Sequence, residues 1–352
     1  QLLSDLFTNY YQGIVPYCSG QDKGVEVGLG IAIRSLIDVD EPTQIIDINV
    51  WVRMSWTDCH LVWNASDYDG INELVVPYDK IWVPDVTLYD NNQDGDQGLL
   101  PGLTDFRPKI KSDGSIHYNF PTVLHSLCTI DSTYFPFDTQ TCPLKFGSWS
   151  YDGFHVDVKN VSASADTSSF KKNTEWELVS VEAVHHELFY SCCEAPFPDV
   201  TFYLTISRRY LSFVVNIIVP CFMIVCLALI GFLLPVEAGE KVGLEITVLL
   251  ALAVYAQVVS DQLPPSSNLP YMGLFFACAL LITMFSLIMA VFVINLHHRG
   301  ELGYPVPKVI RCIVFNGLAK IVFFDVEEEN EEEAVSTSQH SVSKQETLSS
   351  IG

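Results

Sequence analysis

The chain has 352 residues, a formal net charge of −23 and 49% hydrophobic residues. At that length and apolar content a single compact domain is not expected. An enzyme is excluded as well: no metal-ligand spacing, nucleophile–base set or phosphate loop can be found, and His185-His186 and His297-His298 read most simply as surface pairs. No cofactor and no nucleic-acid partner are expected.

In chain order, residues 2 to 10 predict a short amphipathic helix. From Val25 onward apolar residues mostly alternate with others (Val25, Val27, Leu29, Ile31, Ile33), which is strand periodicity. In the next strand Ile46, Ile48, Val50, Val52, Met54 and Trp56 share one face, while Asp47, Asn49, Trp51, Arg53 and Ser55 share the other. Trp51 therefore points away from the core, either as incidental cover or as part of an interface or ligand surface. Further short strands punctuated by Gly, Pro, Asn and Asp run to about residue 206, so the expected fold is an all-β sandwich over residues 1–207. Its last strand, with Phe202, Leu204 and Ile206 inward, runs into the first apolar span without a linker.

Six of the ten cysteines (Cys18, Cys59, Cys128, Cys142, Cys192, Cys193) precede that span, an even number suited to disulfides in an oxidising compartment. A Cys128–Cys142 bridge would close a small loop with an apolar tip at Phe135-Pro136-Phe137, able to rest on a helix bundle, with Asp138 available for a cation. Cys192 and Cys193 are adjacent, and either a strained ring between them or distant partners remain open. Tyr89, Trp82, Trp149, Tyr151, Tyr190 and Phe197 recur in turn-rich segments beside acidic side chains, which suits either capture of an ammonium cation or ordinary core packing. Asn64-Ala65-Ser66 and Asn160-Val161-Ser162 are glycosylation acceptors. The chain opens Gln-Leu-Leu-Ser-Asp, so a mature or trimmed start is expected.

Three stretches are long enough to cross a bilayer at roughly 20 residues per span: about 211–235, 241–263 and 271–296. Pro220 in the first is tolerable where neighbouring helices satisfy the freed carbonyl. Lys241, His297, His298, Arg299, Lys308, Arg311 and Lys320 mark one side as cytoplasmic, and the N-terminal half is then extracellular, at the plasma membrane. Steps of three and four along the second span give Glu240, Gly243, Thr247, Leu250, Val254, Gln257 and Asp261 on one helical face. Against lipid this stripe would be costly. Repeated about an axis it lines a watery pore with acidic mouths and a central apolar constriction.

Together these residues resemble the pentameric ligand-gated ion channels (Cys-loop receptors), in the nicotinic acetylcholine receptor branch. The resemblance covers about residues 1 to 325. It rests on Cys128-Thr-Ile-Asp-Ser-Thr-Tyr-Phe-Pro-Phe-Asp-Thr-Gln-Thr-Cys142, on Trp82-Val-Pro-Asp85 with Tyr89, on Gly147-Ser148-Trp149 and Tyr190-Ser-Cys192-Cys193, on Trp51, and on Glu240-Lys241 with Leu249-Leu250. It implies an extracellular β-sandwich followed by an α-helical transmembrane bundle, in a ring of five subunits, homomeric or heteromeric, embedded in lipid. A small cationic, acetylcholine-like agonist would bind between subunits and open a pore for sodium, potassium and, as a further expectation, calcium.

The resemblance also assigns roles. Tyr89, Trp149, Tyr190, a Cys192–Cys193 disulfide and Phe197 would form the principal binding face, and Trp51, His117 and Asn119 the complementary one. Leu250 would gate and Glu240 select. Coupling would run through Glu41, Pro42, the Phe135 to Asp138 tip, Arg209 and Pro270, with Glu41–Arg209 as the expected ion pair. Cys18–Cys59 is a further disulfide candidate. Departures are Phe197 in place of the usual Tyr, the polar His117 and Asn119, and Glu245, left open between pairing with Lys241 and staying protonated. The family's fourth membrane helix is not found. Residues about 300–326 are expected to lie as an amphipathic segment on the inner membrane surface, and 327–352 to form an acidic, Ser/Thr-rich disordered tail. The competing function is a ligand-binding or dominant-negative subunit that does not conduct, and an anion channel is disfavoured by Glu237-Ala-Gly-Glu240 at the inner mouth.

Overall fold

A computed structural model describes residues 1–18, 24–92, 100–191, 193–261, 270–301 and 314. A short helix over Leu2–Phe7 precedes ten strands: β1 (Val25–Asp40), β2 (Ile45–Thr57), β3 (Glu73–Val75), β4 (Val86–Leu88), β5 (Lys109–Lys111), β6 (Ser115–Leu127), β7 (Thr139–Ser148), β8 (Val156–Asn160), β9 (Trp176–Leu188) and β10 (Phe197–Arg208). They form two sheets, one of six strands in the order β3-β5-β6-β2-β1-β8 and one of four in the order β4-β7-β10-β9. The alternation dictates which faces meet. Ile46, Ile48, Val50, Val52, Met54 and Trp56 on β2 are buried, as are Phe202, Leu204 and Ile206 on β10. Burying each of these apolar side chains is worth about 1.5–3 kcal/mol, so a one-residue slip of either strand would forfeit the whole set.

Alternation fails in one place that matters later. The β1–β2 register shifts between Ile33 and Ser35, leaving Arg34 as the extra residue of a bulge. A bulge bends its strand and re-aims the side chain there.

Disulfides join Cys18 to Cys59 and Cys128 to Cys142, with Cα–Cα distances of 5.8 and 5.0 Å. Cys192, and with it the expected Cys192–Cys193 ring, lies outside the described residues. So do the expected inner-surface segment and acidic tail, apart from Gly300 and Glu301 at a helix end and residue 314.

Three helices are long and apolar enough to cross a membrane: Leu211–Gly231, Lys241–Ser260 and Tyr271–Gly300. The first follows β10 after only two residues and passes through a π turn at Val214–Ile218 just before Pro220. Proline has no N–H to give the helical ladder, and local widening of this kind is a recognised way to accommodate the loss.

The chain divides into two compact units, residues 1–233 with 243–286, and 234–242 with 287–352. Within the first, the Cys128–Cys142 loop sits on the helices. Phe135 packs edge-on against Phe213 (ring centroids 5.2 Å apart), Phe137 lies 5.0 Å from Tyr210, and Tyr134 lies 5.4 Å from Tyr271. The Tyr271 N–H, next to Pro270, donates to the Thr133 carbonyl at 3.1 Å. Within the second unit, a tight turn at Val236–Ala238 ends on Gly239 at φ 71°, where a side chain would be strained, and Lys241 Nζ donates to the Leu234 carbonyl at 3.4 Å.

Candidate functional site

The aromatic residues divide into core and surface. Trp82 is buried edge-on against Trp56, 6.2 Å between centroids, and Tyr151 packs behind it at 6.5 Å. These two belong to the sandwich core and not to an ammonium cage, which corrects one side of the sequence reading. Trp149, by contrast, is 75% exposed, with Tyr89 edge-on at 6.2 Å. Tyr190 and Phe197 form a second edge-on pair at 5.8 Å.

A polar frame holds Trp149 out in solvent. Asp85 accepts from the Ser148 hydroxyl at 2.5 Å and from the Ser150 N–H at 2.7 Å, while Ser148 Oγ accepts the Tyr151 N–H. The Tyr89 hydroxyl donates to the Ser148 carbonyl at 3.0 Å. Burial pushes the Tyr89 pKa up to about 12, with further raising from Tyr190, Asp199 and Asp85. Gly147 is required here, because any Cβ would strike the Tyr89 ring and hydroxyl. Beneath, the buried Asp199 carboxylate takes Lys145 at 3.2 Å, His186 at 3.0 Å and the Thr201 hydroxyl at 2.8 Å. His186 thus has a buried partner and is no mere surface pair with His185. None of Lys145, Asp199 or Asp85 was singled out from the sequence, although Asp85 stands in the quoted Trp82-Val-Pro-Asp85 segment.

The second candidate face is on the six-stranded sheet. Trp51 is 40% exposed, as strand parity requires. Across the β2–β6 ladder Arg53 faces Asn119 and Ser55 faces His117. Arg34, from the β1 bulge, lays its guanidinium over the Trp51 ring, 4.2 Å from the centroid. Arg53 pairs with Asp166 at 2.8 Å, and Ser168 hydrogen bonds first, then Arg53, depress the Asp166 pKa to about 2.

At the foot of the sandwich the expected Glu41–Arg209 pair is not made. Arg208 makes it instead, at 2.7 Å, and also meets Asp138 at 2.8 Å and Glu175 at 3.0 Å. Among the described carboxylates the Arg209 side chain reaches only Glu177, at 4.0 Å. The reason is parity: Arg208 continues the inward series Phe202, Leu204, Ile206, whereas Arg209 falls on the other side. The Arg208 guanidinium is further enclosed by Trp176 at 4.1 Å, Phe135 at 4.9 Å and Phe213 at 5.3 Å. Burial disfavours its charge, but Asp138 and Glu41 outweigh that and raise its pKa. Burial likewise pushes the Glu175 carboxyl up. A cavity of about 600 Å³ adjoins the cluster, lined by Asp38, Glu41, Pro42, Glu175, Arg208 and Asp261 among others.

On the second long helix Gly243, Thr247, Leu250, Val254 and Gln257 are all exposed in the protomer, and so are Glu240 ahead of it and Asp261 just past its end. Leu249 is half-buried, and Val248, Leu252 and Val259 form the buried stripe. Glu245 belongs to that buried stripe. It is 0% exposed against Gly231, and neither carboxylate oxygen has a hydrogen-bond partner among the described residues. Of the glycosylation acceptors, Asn64 is exposed, whereas the half-buried Asn160 amide donates to the Ser162 and Ala183 carbonyls.

A sandwich of this topology leading directly into membrane-length helices, with a disulfide-closed loop between, has a counterpart among known proteins. Residues 1–210 match the neurotransmitter-gated ion-channel ligand binding domain, and residues 217–351 the neurotransmitter-gated ion-channel transmembrane region. The chain belongs to the neurotransmitter-gated ion-channel family. It is 37% identical over 323 residues to the neuronal acetylcholine receptor subunit alpha-9-I of Oncorhynchus mykiss, covering 92% of this chain and 56% of that relative. It is 37% identical over 329 residues to the human subunit alpha-9 (93% of this chain, 68% of the relative), and 35% identical over 320 residues to the human subunit alpha-10 (91% and 70%).

Proposed function

We propose that this chain is a subunit of a cation channel opened by an acetylcholine-like amine. Five subunits surround one axis, with the sandwich outside the plasma membrane. The agonist lies between two copies, with Tyr89, Trp149, Tyr190, Phe197 and the Cys192–Cys193 ring of one facing Trp51, His117 and Asn119 of the next. Its arrival moves the foot of the sandwich, where Glu41 and Asp138 hold Arg208, in the place expected of Arg209, and Pro42, the Phe135 to Asp138 tip and Pro270 carry the movement to the helices. The exposed stripe from Glu240 to Asp261 then lines the conducting path, with Leu250 at the gate and Glu240 setting the preference for cations.

The observation that carries this reading is the exposed Trp149 ring, held out by Asp85 and Ser148 with Tyr89 edge-on to it, while Phe197, paired with Tyr190, starts the strand that runs beside β7. Electron-rich ring faces at a desolvated interface suit an ammonium ion, at about 2 kcal/mol for a good contact. Equilibrium binding of acetylcholine and choline to membranes carrying the full-length protein tests it. Trp149→Ala should weaken both ligands roughly thirtyfold, and unchanged affinity would move the site elsewhere.

A further inference from the structure

Three consecutive residues just past the end of β2 bring three kinds of metal ligand to one point. Asp58 Oδ1 lies 3.2 Å from His60 Nδ1, and that nitrogen lies 3.8 Å from Cys59 Sγ. The three side chains offer ligand atoms that all fall within 4.8 Å of one another. A tetrahedral zinc ion at its usual bond lengths holds sulfur, nitrogen and oxygen ligands roughly 3.4–3.8 Å apart. The carboxylate is already held. Asp58 is buried, and its other oxygen accepts the Tyr10 hydroxyl at 2.8 Å, while the Tyr10 oxygen accepts the Trp82 N–H at 2.9 Å. A hydrogen bond of this kind orients a ligating carboxylate. Cys59 is exposed and the His60 side chain is 56% exposed, so an ion can arrive from solvent.

One bond stands in the way. Cys59 Sγ is joined to Cys18, 41 residues earlier, and the thiolate, not the disulfide, is the metal ligand. The same bond holds the fourth ligand, because opening it leaves Cys18 Sγ beside Cys59 Sγ. No regular spacing announces a set that joins Asp58-Cys59-His60 to so distant a cysteine. The bridge is also the accessible one. Cys128 and Cys142 are both buried, and exposed disulfides are the more readily reduced.

We propose that Cys18 and Cys59, once reduced by an extracellular thiol, hold a zinc ion together with Asp58 and His60. The thiolate of the reductant attacks the exposed Cys59 sulfur, the disulfide bond breaks, and its electron pair leaves on Cys18. A second thiol displaces Cys59 from the mixed disulfide. Two thiols thereby become one disulfide, and the bridge gains the same two electrons. Zinc then binds both cysteines as thiolates and releases their two protons to water. The ion takes over the covalent link, tying Cys18 and the segment before it to the end of β2.

Alkylation of the purified full-length protein tests this. The protein is treated with glutathione, freed of it, and exposed to iodoacetamide with and without zinc, and peptide mass spectrometry reads each cysteine. Cys18 and Cys59 should become reactive while Cys128 and Cys142 do not, and zinc should slow alkylation of Cys18 and Cys59 about tenfold or more. His60→Ala, a change at an exposed side chain, should raise the zinc concentration needed by about tenfold or more. Cys59→Ser should remove the protection of Cys18. A Cys18–Cys59 bridge that resists glutathione overturns the proposal, and so does zinc that leaves both cysteines reactive. Protection unchanged in His60→Ala, or confined to Cys192 and Cys193, would place the ion elsewhere and overturn it too.

Discussion

Arg208 and Glu245 are both shut away from solvent within the protomer, at 4% and 0% exposure, yet they stand in opposite surroundings. Arg208 has three carboxylates within 3.0 Å and three aromatic rings around its guanidinium. The carboxylate of Glu245 meets the backbone of Gly231 and accepts no hydrogen bond among the described residues. Both positions obey the periodicity of their own element, strand parity for one and a helical stripe for the other. Their chemistry differs because three other segments converge on Arg208 at the end of β10 (the turn after β1, the Cys128–Cys142 loop and the start of β9), and each brings a group to it. The comparison teaches that burial of a charge reports where the backbone points, whereas its partners report what the charge is for. A fully partnered charge where sandwich meets helices is suited to transmit movement, since Phe135 touches both Arg208 and Phe213. A buried carboxyl with no hydrogen-bond partner among the described residues is a local cost inside a helix bundle.

The largest effect is expected at Arg208. Arg208→Gln leaves Asp138 buried without its cation and should cost about 3–5 kcal/mol in thermal or denaturant unfolding of the purified protein. Adding Asp138→Asn should recover part of the loss, because the two residues act as a unit. A loss below about 1 kcal/mol would place Arg208 among exposed ion pairs and dissolve the contrast.

Glu245→Gln should go the other way. The isosteric amide replaces a buried carboxyl that has no hydrogen-bond partner among the described residues, so stability should be unchanged or rise by up to about 2 kcal/mol. Destabilisation on the scale of Arg208→Gln would mean that a neighbouring subunit supplies the partner, and the comparison would have to be redrawn for the assembly.

The smallest effect belongs to Arg53–Asp166, whose side chains are 44% and 35% exposed. The folded Asp166 pKa of about 2 lies below the ordinary carboxylate value near 3.9. The Ser168 hydrogen bonds to this carboxylate, and after them the Arg53 pair, therefore contribute fully above about pH 4 and are lost as pH falls through about 2. Solvent screening holds the contribution below about 1 kcal/mol. Asp166→Asn should be slightly less stable than the unmutated chain at neutral pH, with the difference fading as pH approaches 2. A difference that persists in acid would assign the loss to packing.

Much of this was legible in the residues alone. Alternation on β2 separated Ile46 to Trp56 from Trp51, and steps of three and four on the second span picked out a stripe that is exposed in the protomer. Both are properties of consecutive residues, fixed by the geometry of one strand or one helix. The Cys128–Cys142 spacing likewise announced its own small loop. Parity would also have distinguished Arg208 from Arg209, had it been carried two residues past Ile206; the resemblance pointed to the wrong one of the pair.

What lay beyond the sequence was the meeting of segments far apart in the chain. Whether an aromatic becomes core or surface depends on which sheet covers it, so Trp82 is buried on Trp56 while Trp149 is held out by Asp85 from another loop. Whether a buried polar group is partnered depends on register between distant segments, which brings Glu41, Asp138 and Glu175 to one guanidinium and, among the described residues, no hydrogen-bond partner to Glu245. The bulge that sets Arg34 over Trp51 is decided by the β1–β2 pairing, and no periodicity within β1 announces it. Local geometry is written along the chain, and partnership is settled only when the chain closes on itself.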